Sequence, residues 1–189
     1  MERRSSLKNT SITPALGRFL LSGLMGLFLS ASPRAADVRD PAYFFDRNSG
    51  NLRQEAATAR WEGKRGVLIM FDQANCPACT TLMTTVLSHA ATQDFYRKYF
   101  RILRVDIKSA ADYTDFVGKP ITAKGFAAKY RIETAPAFMF FDLNGNQRLK
   151  YTGASHDPGE FIWLGEFVVQ GDYKSKTFTA YKFEKTHKK

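Results

Sequence analysis

Cysteine is nearly absent from this chain: of 189 residues only Cys76 and Cys79 carry a thiol. A scaffold stapled by several disulfides is therefore excluded, and stability has to come from packing. Histidine is almost as scarce, and His89, His156 and His187 lie far apart in sequence. A zinc site needs about four ligands, so the two thiols have too few companions, and neither a metal nor a cofactor is expected. Long apolar runs are missing as well. The stretch 19–29 has eleven residues, against the roughly 20 that span a bilayer. No pattern of basic residues marks a nucleic-acid-binding fold, and nucleic acid is not an expected partner.

What is present is an ordinary globular composition, 44% hydrophobic and 14% aromatic, enough for one cored domain with extensions. Residues 1–36 stand apart: Arg3, Arg4, Lys8 and Arg18 precede the apolar stretch, and Ser30, Ala31, Ser32, Ala35 and Ala36 follow it. That order of basic, apolar and small residues reads as a secretory signal. Cleavage is expected between Ala31 and Ala36, with an uncleaved anchor as the alternative. Arg3-Arg4-Ser5-Ser6-Leu7-Lys8 resembles a twin-arginine export signal, except that Ser6 stands where Phe is usual. The formal charge of +10 falls to +6 once 1–36 are removed, and the surplus is concentrated late, at Lys174, Lys176, Lys182, Lys185, Lys188 and Lys189. The expected division is a signal at 1–36, a domain at 37–173 with an N-terminal helical extension and an insertion at 108–124, and a solvated basic tail at 174–189.

Residues 67–87, VLIMFDQANCPACTTLMTTVL, carry the chemistry. The run 67–71 is short, apolar and partly β-branched, as suits a strand buried on both faces. From Cys76 onward Leu82, Met83, Val86 and Leu87 recur at helical spacing, so Cys76 falls at a helix start and Pro77 in the first turn. The unpaired N–H groups and partial positive charge there favour thiolate over thiol, which makes Cys76 the nucleophile. Cys79, one turn on, is the resolving thiol that attacks a mixed disulfide formed at Cys76. A static disulfide or half of a metal site are the alternatives.

Around this unit the chain alternates helix and strand. Asn51 reads as the N-cap of a helix over 52–61. A helix follows at 92–99, and a strand at 102–107 with Leu103, Val105 and Ile107 in period two, a strand–helix–strand order that implies parallel pairing. Residues 108–124 are polar, contain Gly118 and Pro120, and show no sustained period. A helix at 125–130 leads to Pro136, directly before the strand 137–141, where an X-Pro bond is a candidate for cis geometry. Asn144-Gly145 marks a hairpin returning as 147–151. Asp157, Pro158 and Glu160 mark a helix start running to about Gln170.

This order resembles the thioredoxin superfamily over roughly 52–170, on two specific features: Cys76-Pro77-Ala78-Cys79 after a buried strand, and Pro136 sixty residues later. The resemblance implies an α/β fold, a three-layer α/β/α sandwich with a mixed central sheet. It also implies that Pro136 is cis, and that Ala135 and Pro136, with Pro77, form the surface on which a partner's cysteine-containing strand docks. Within the superfamily the exported SoxW-type thioredoxins look closest, by their signal, N-terminal helix, Cys-Pro-x-Cys motif, polar insertion and aromatic C-terminal extension. They imply a periplasmic dithiol protein that takes electrons from a membrane thiol donor and passes them to sulfur-oxidation carrier proteins or other extracytoplasmic disulfides; a monomer is expected. The chain departs from cytoplasmic thioredoxins at Met70, where they have a buried Asp, which leaves Asp72 or water to handle the proton of Cys79. It departs again at Asn75, where they have Trp, and at Ala135, smaller than the usual residue. Disulfide oxidase or isomerase activity in protein folding, a non-catalytic binding module and a metallochaperone are the alternative functions.

Overall fold

The computed structural model describes residues 37–187; the expected export signal lies outside them, as do Lys188 and Lys189. A four-stranded sheet organises the fold. Its strands are β1 (Gly66–Asp72), β2 (Phe100–Asp106), β5 (Ala137–Phe141) and β6 (Gln147–Thr152), in the order β2-β1-β5-β6. β1 pairs parallel with β2 and antiparallel with β5, and β5 pairs antiparallel with β6 across the Asn144-Gly145 turn. The sheet is therefore mixed, as expected.

Every residue of β1 is buried, because helices cover both faces of the sheet. Leu68 and Met70 of β1, with Phe138 and Phe140 of β5, face a cluster that includes Cys76, Cys79, Tyr96, Phe161 and Leu164. These come from the N-cap and first turn of α2 (Pro77–Leu82), from α3 (Ala90–Tyr99) and from α5 (Pro158–Gln170). Val67, Ile69 and Phe71 face the opposite way, with Ala137, Met139 and Phe141, against α1 (Leu52–Trp61) and α4 (Ala123–Lys129). The period-two alternation of a strand divides these side chains between the two layers. This is the three-layer α/β/α sandwich.

The caps read from sequence are in place. Asn51 accepts the N–H of Gln54 and Asp157 accepts that of Glu160, with Pro158 opening α5. Three features differ from the reading. The active-site helix does not continue as a regular α-helix: Met83–Leu87 is a π turn, which keeps Leu82, Val86 and Leu87 buried. The insertion 108–124 is not structureless. It forms the hairpin β3 (Asp112–Thr114) and β4 (Pro120–Thr122), then enters α4 at Ala123. Its organiser is Asp115, buried among the N–H groups of Val117 and Lys119 and the ammonium of Lys129. Such a local polar turn leaves no hydrophobic period to read. The basic tail carries α6 (Phe178–His187), where Phe178 and Tyr181 pack on Phe167 of α5 and Lys182 and Lys185 pair with Glu160 and Glu166.

The segment before α1 covers the outer edge of β2. Asp46 donates its N–H to the Ile102 carbonyl and accepts that of Ile102 on its carboxylate, and an otherwise unpaired strand edge is thereby closed. Glu55 of α1 ties this segment to the sheet: it is 2% exposed, accepts from the N–H and hydroxyl of Ser49, and pairs with Arg101 of β2. Burial opposes its ionisation, but the bonds from Ser49 and Arg101 prevail and hold the carboxyl below its ordinary value of 4.5. A depressed folded-state pKa contributes stability that is complete above the unfolded value and is lost as pH falls through the folded one. Urea unfolding at a series of pH values is expected to show the midpoint declining below about pH 4.5. Glu55→Gln is expected to be weaker at pH 7 by about 2 kcal/mol and to show a shallower acid decline. An equally steep decline in the variant would remove Glu55 from this account.

Candidate active site

β1 delivers the chain to the dithiol. It ends at Asp72, Gln73 to Asn75 turn the backbone, and Cys76 becomes the N-cap of α2 with extended φ −103° and ψ 95°. Asn75, just before it, has φ +55°. As cap, Cys76 places Sγ 3.1 Å from the backbone N–H of Cys79, which donates to it, and its carbonyl accepts from Thr80. Pro77 occupies the first helical position, where its missing N–H leaves no bond unmade. Cys76 and Cys79 are joined as a disulfide with Cα atoms 5.2 Å apart. Their residues are 8% and 3% exposed, within a rim of exposed Ala74, Asn75, Pro77 and Ala78.

The segment before β5 forms the other wall. The Ala135–Pro136 peptide is cis. The Ala135 carbonyl oxygen lies 3.7 Å from Cys76 Sγ, a contact that can be a hydrogen bond only when Cys76 is a thiol, because a disulfide sulfur has no proton to donate. The Pro136 carbonyl is taken by the N–H of Gly153, while the backbone of Glu133, Thr134 and Ala135 pairs with no other backbone group among the described residues. The fold therefore brings Cys76, Cys79, Pro77, Ala135 and Pro136 to one place, although 59 residues separate the first cysteine from Ala135. Beside them is an exposed stretch of backbone.

A cavity of about 360 Å³ adjoins the turn, lined by Asp72, Gln73, Ala74, Arg104 and Asp106. Asp72 is 3% exposed and forms an ion pair with Arg104 of β2. Burial raises its carboxyl above the usual range, outweighing the guanidinium. Arg104 Nε donates to its carboxylate, and no hydrogen bond joins Asp72 to Cys79 among the described residues. Met70 lies wholly buried in the cluster that holds both cysteines. His89 precedes α3 without a side-chain capping bond, and Trp61 is 87% exposed at the end of α1.

Sequence reasoning missed the left-handed backbone at Asn75. The available signal was the residue type, since Asn tolerates this region better than most.

A nucleophilic cap sulfur, a second cysteine within bonding distance and an adjacent exposed backbone can perform thiol–disulfide exchange. Known proteins agree at the level of fold. A thioredoxin-fold protein from Helicobacter pylori superposes with a TM-score of 0.62 at 15% identity, covering 78% of this chain and 96% of that one. A candidate disulphide isomerase from Bacteroides thetaiotaomicron gives 0.54 at 18% identity, covering 76% and 100%. A thioredoxin from Thermus thermophilus gives 0.51 at 20%, covering 65% and 88%. Among curated proteins, none matches the sequence. The thioredoxin-like domain family matches residues 52–168, and by that match, over more than half of its length, the chain belongs to this family.

Proposed function

We propose that the protein is an exported thiol–disulfide oxidoreductase that works mainly as a reductant of disulfides in extracytoplasmic proteins. The observation that carries this reading is the Cys76–Cys79 disulfide at a helix start against the Ala135 carbonyl. In the reduced protein the Cys76 thiolate, stabilised by the Cys79 N–H, attacks a partner disulfide and displaces one partner thiolate. Cys79 then attacks Cys76 Sγ, closes the intramolecular disulfide and releases the second partner thiol. Two electrons pass to the partner, and a separate donor must restore the dithiol. The unpaired backbone of Glu133, Thr134 and Ala135 suits an extended partner segment lying along it.

An exported reductant needs that donor because its compartment is oxidising, and the arrangement proposed from the SoxW-type resemblance is a membrane thiol donor on one side and disulfide-bearing proteins on the other.

The test is the reduction potential of the pair, measured by equilibrating purified protein against a dithiothreitol or glutathione series. A value close to roughly −270 mV, that of thioredoxin, is expected; one close to roughly −120 mV, that of the strong periplasmic oxidase, would replace reduction by disulfide formation.

A further inference from the structure

Only two non-glycine residues among those described have positive φ, Asn75 at +55° and Arg131 at +53°. Arg131 follows the end of α4, with its N–H bonded to the Ala128 carbonyl, which is an ordinary place for a left-handed residue. Asn75 has no such setting. It follows a strand and stands directly before the nucleophile, exposed to solvent, and no side-chain hydrogen bond of its amide occurs among the described residues. What distinguishes Asn75 is therefore its backbone conformation, not its contacts.

We propose that Asn75 is a positioning residue for Cys76, whose left-handed backbone sets the sulfur in reach of the Cys79 N–H. This rests on the exchange reading above. The chain leaves β1 at Asp72 and must enter α2 at Pro77, with four residues to reverse from extended to helical. Asn75 makes the turn, so that Cys76 can be extended, as an N-cap requires, while its Sγ points back at the first helical turn. Residues other than Gly and Asn, above all β-branched ones, are disfavoured at positive φ. With such a residue the turn re-forms at negative φ, Cys76 Sγ moves off the Cys79 N–H, and the thiolate loses the bond that favours it over the thiol. Glycine would reach the same φ, though with a looser turn in the unfolded and folded chain alike.

The experiment titrates Cys76 in the reduced protein by its rate of alkylation with iodoacetamide, in the native sequence and in Asn75→Gly, Asn75→Ala and Asn75→Val. Thermal unfolding is followed in parallel. Asn75→Val is expected to raise the Cys76 pKa by about one unit, read as the midpoint of the alkylation rate against pH, which slows alkylation by up to about tenfold at pH values below both midpoints. Asn75→Ala should fall between, and Asn75→Gly should stay within about twofold of the native protein. The charged groups lining the cavity beside the turn are Asp72 of β1 and Arg104 and Asp106 of β2, and Glu133 lies two residues before Ala135. They are unchanged across the series, so the differences report the backbone. An unshifted Asn75→Val would overturn the proposal. So would an Asn75→Gly as impaired as Asn75→Val, since the amide side chain would then be what matters. If valine lowers melting too far to titrate, the order of glycine, native and alanine decides by the same criterion. Alkylation needs no partner disulfide: a protein that titrates in this order but reduces no disulfide would refute the oxidoreductase reading and leave the positioning role standing.

Discussion

Cys76→Ser is expected to bring disulfide reduction down to the uncatalysed rate, while Cys79→Ala is expected to stop turnover and leave Cys76 covalently joined to its partner. The two thiols are not equivalent in the structure. Cys76 is the cap residue, facing the Ala135 carbonyl and bordered by the exposed rim, whereas Cys79 is the more buried, inside the first turn. A partner sulfur arriving along the exposed backbone beside Pro136 meets Cys76 first. Serine there has a far weaker nucleophile at neutral pH, because its hydroxyl is essentially never ionised without a base. With Cys79 removed, the first exchange still forms the bond between Cys76 and the partner, but nothing in the chain can displace it, since no third cysteine exists. The measurement is reduction of a disulfide substrate by both variants, with non-reducing electrophoresis to reveal the trapped species. Trapping by Cys76→Ser in place of Cys79→Ala would reverse the assignment.

Gly66→Ala is expected to cost about 3 kcal/mol or more, lowering the melting temperature by roughly 10 °C for a chain of this size. A Cβ at this position would lie 2.1 Å from the carbonyl oxygen of Phe141 and 3.2 Å from its carbonyl carbon. Backbone at the start of β1 is held by parallel pairing with β2, where Gly66 registers with Phe100, and the neighbouring Val67 registers with Phe141 of β5. Neither strand can withdraw without breaking ladder hydrogen bonds in the middle of the sheet. The loss should appear equally in denaturant and thermal unfolding, and the folded fraction should keep its exchange chemistry, because Gly66 lies at the opposite end of β1 from the dithiol. A melting temperature within a degree or two of the native protein would show that the strands can separate at that edge.

The site was legible because its chemistry is concentrated in a local pattern. A buried strand, two cysteines one turn apart and a proline at the first helical position can be recognised over a dozen residues, and each is fixed by short-range physics: apolar runs, cap preference and the fixed φ of proline. Asp157 and Asn51 were legible as caps for the same reason. The insertion was not. Its hairpin is held by Asp115 accepting from Val117, Lys119 and Lys129, a set of polar contacts with no hydrophobic period. The helix in the basic tail was obscured by its lysines, whose charges read as solvated until the structure places Glu160 and Glu166 beside them.

The amino-acid order alone determined that a dithiol opens a helix after a buried strand, that the elements alternate as an α/β sandwich, and that no third thiol is available to the chemistry. Only the tertiary structure decided what stands opposite that dithiol. Pairing of β1 with β5 brings Ala135 and cis-Pro136 against Cys76, pairing of β1 with β2 sets Arg104 on Asp72, and the turn between strand and helix puts Asn75 in the left-handed region. The physical reason is the range of the interactions. Caps, turns and periods are set by neighbours a few residues apart, whereas contacts between strands depend on sheet register, which the packing of both faces chooses for the whole sheet at once.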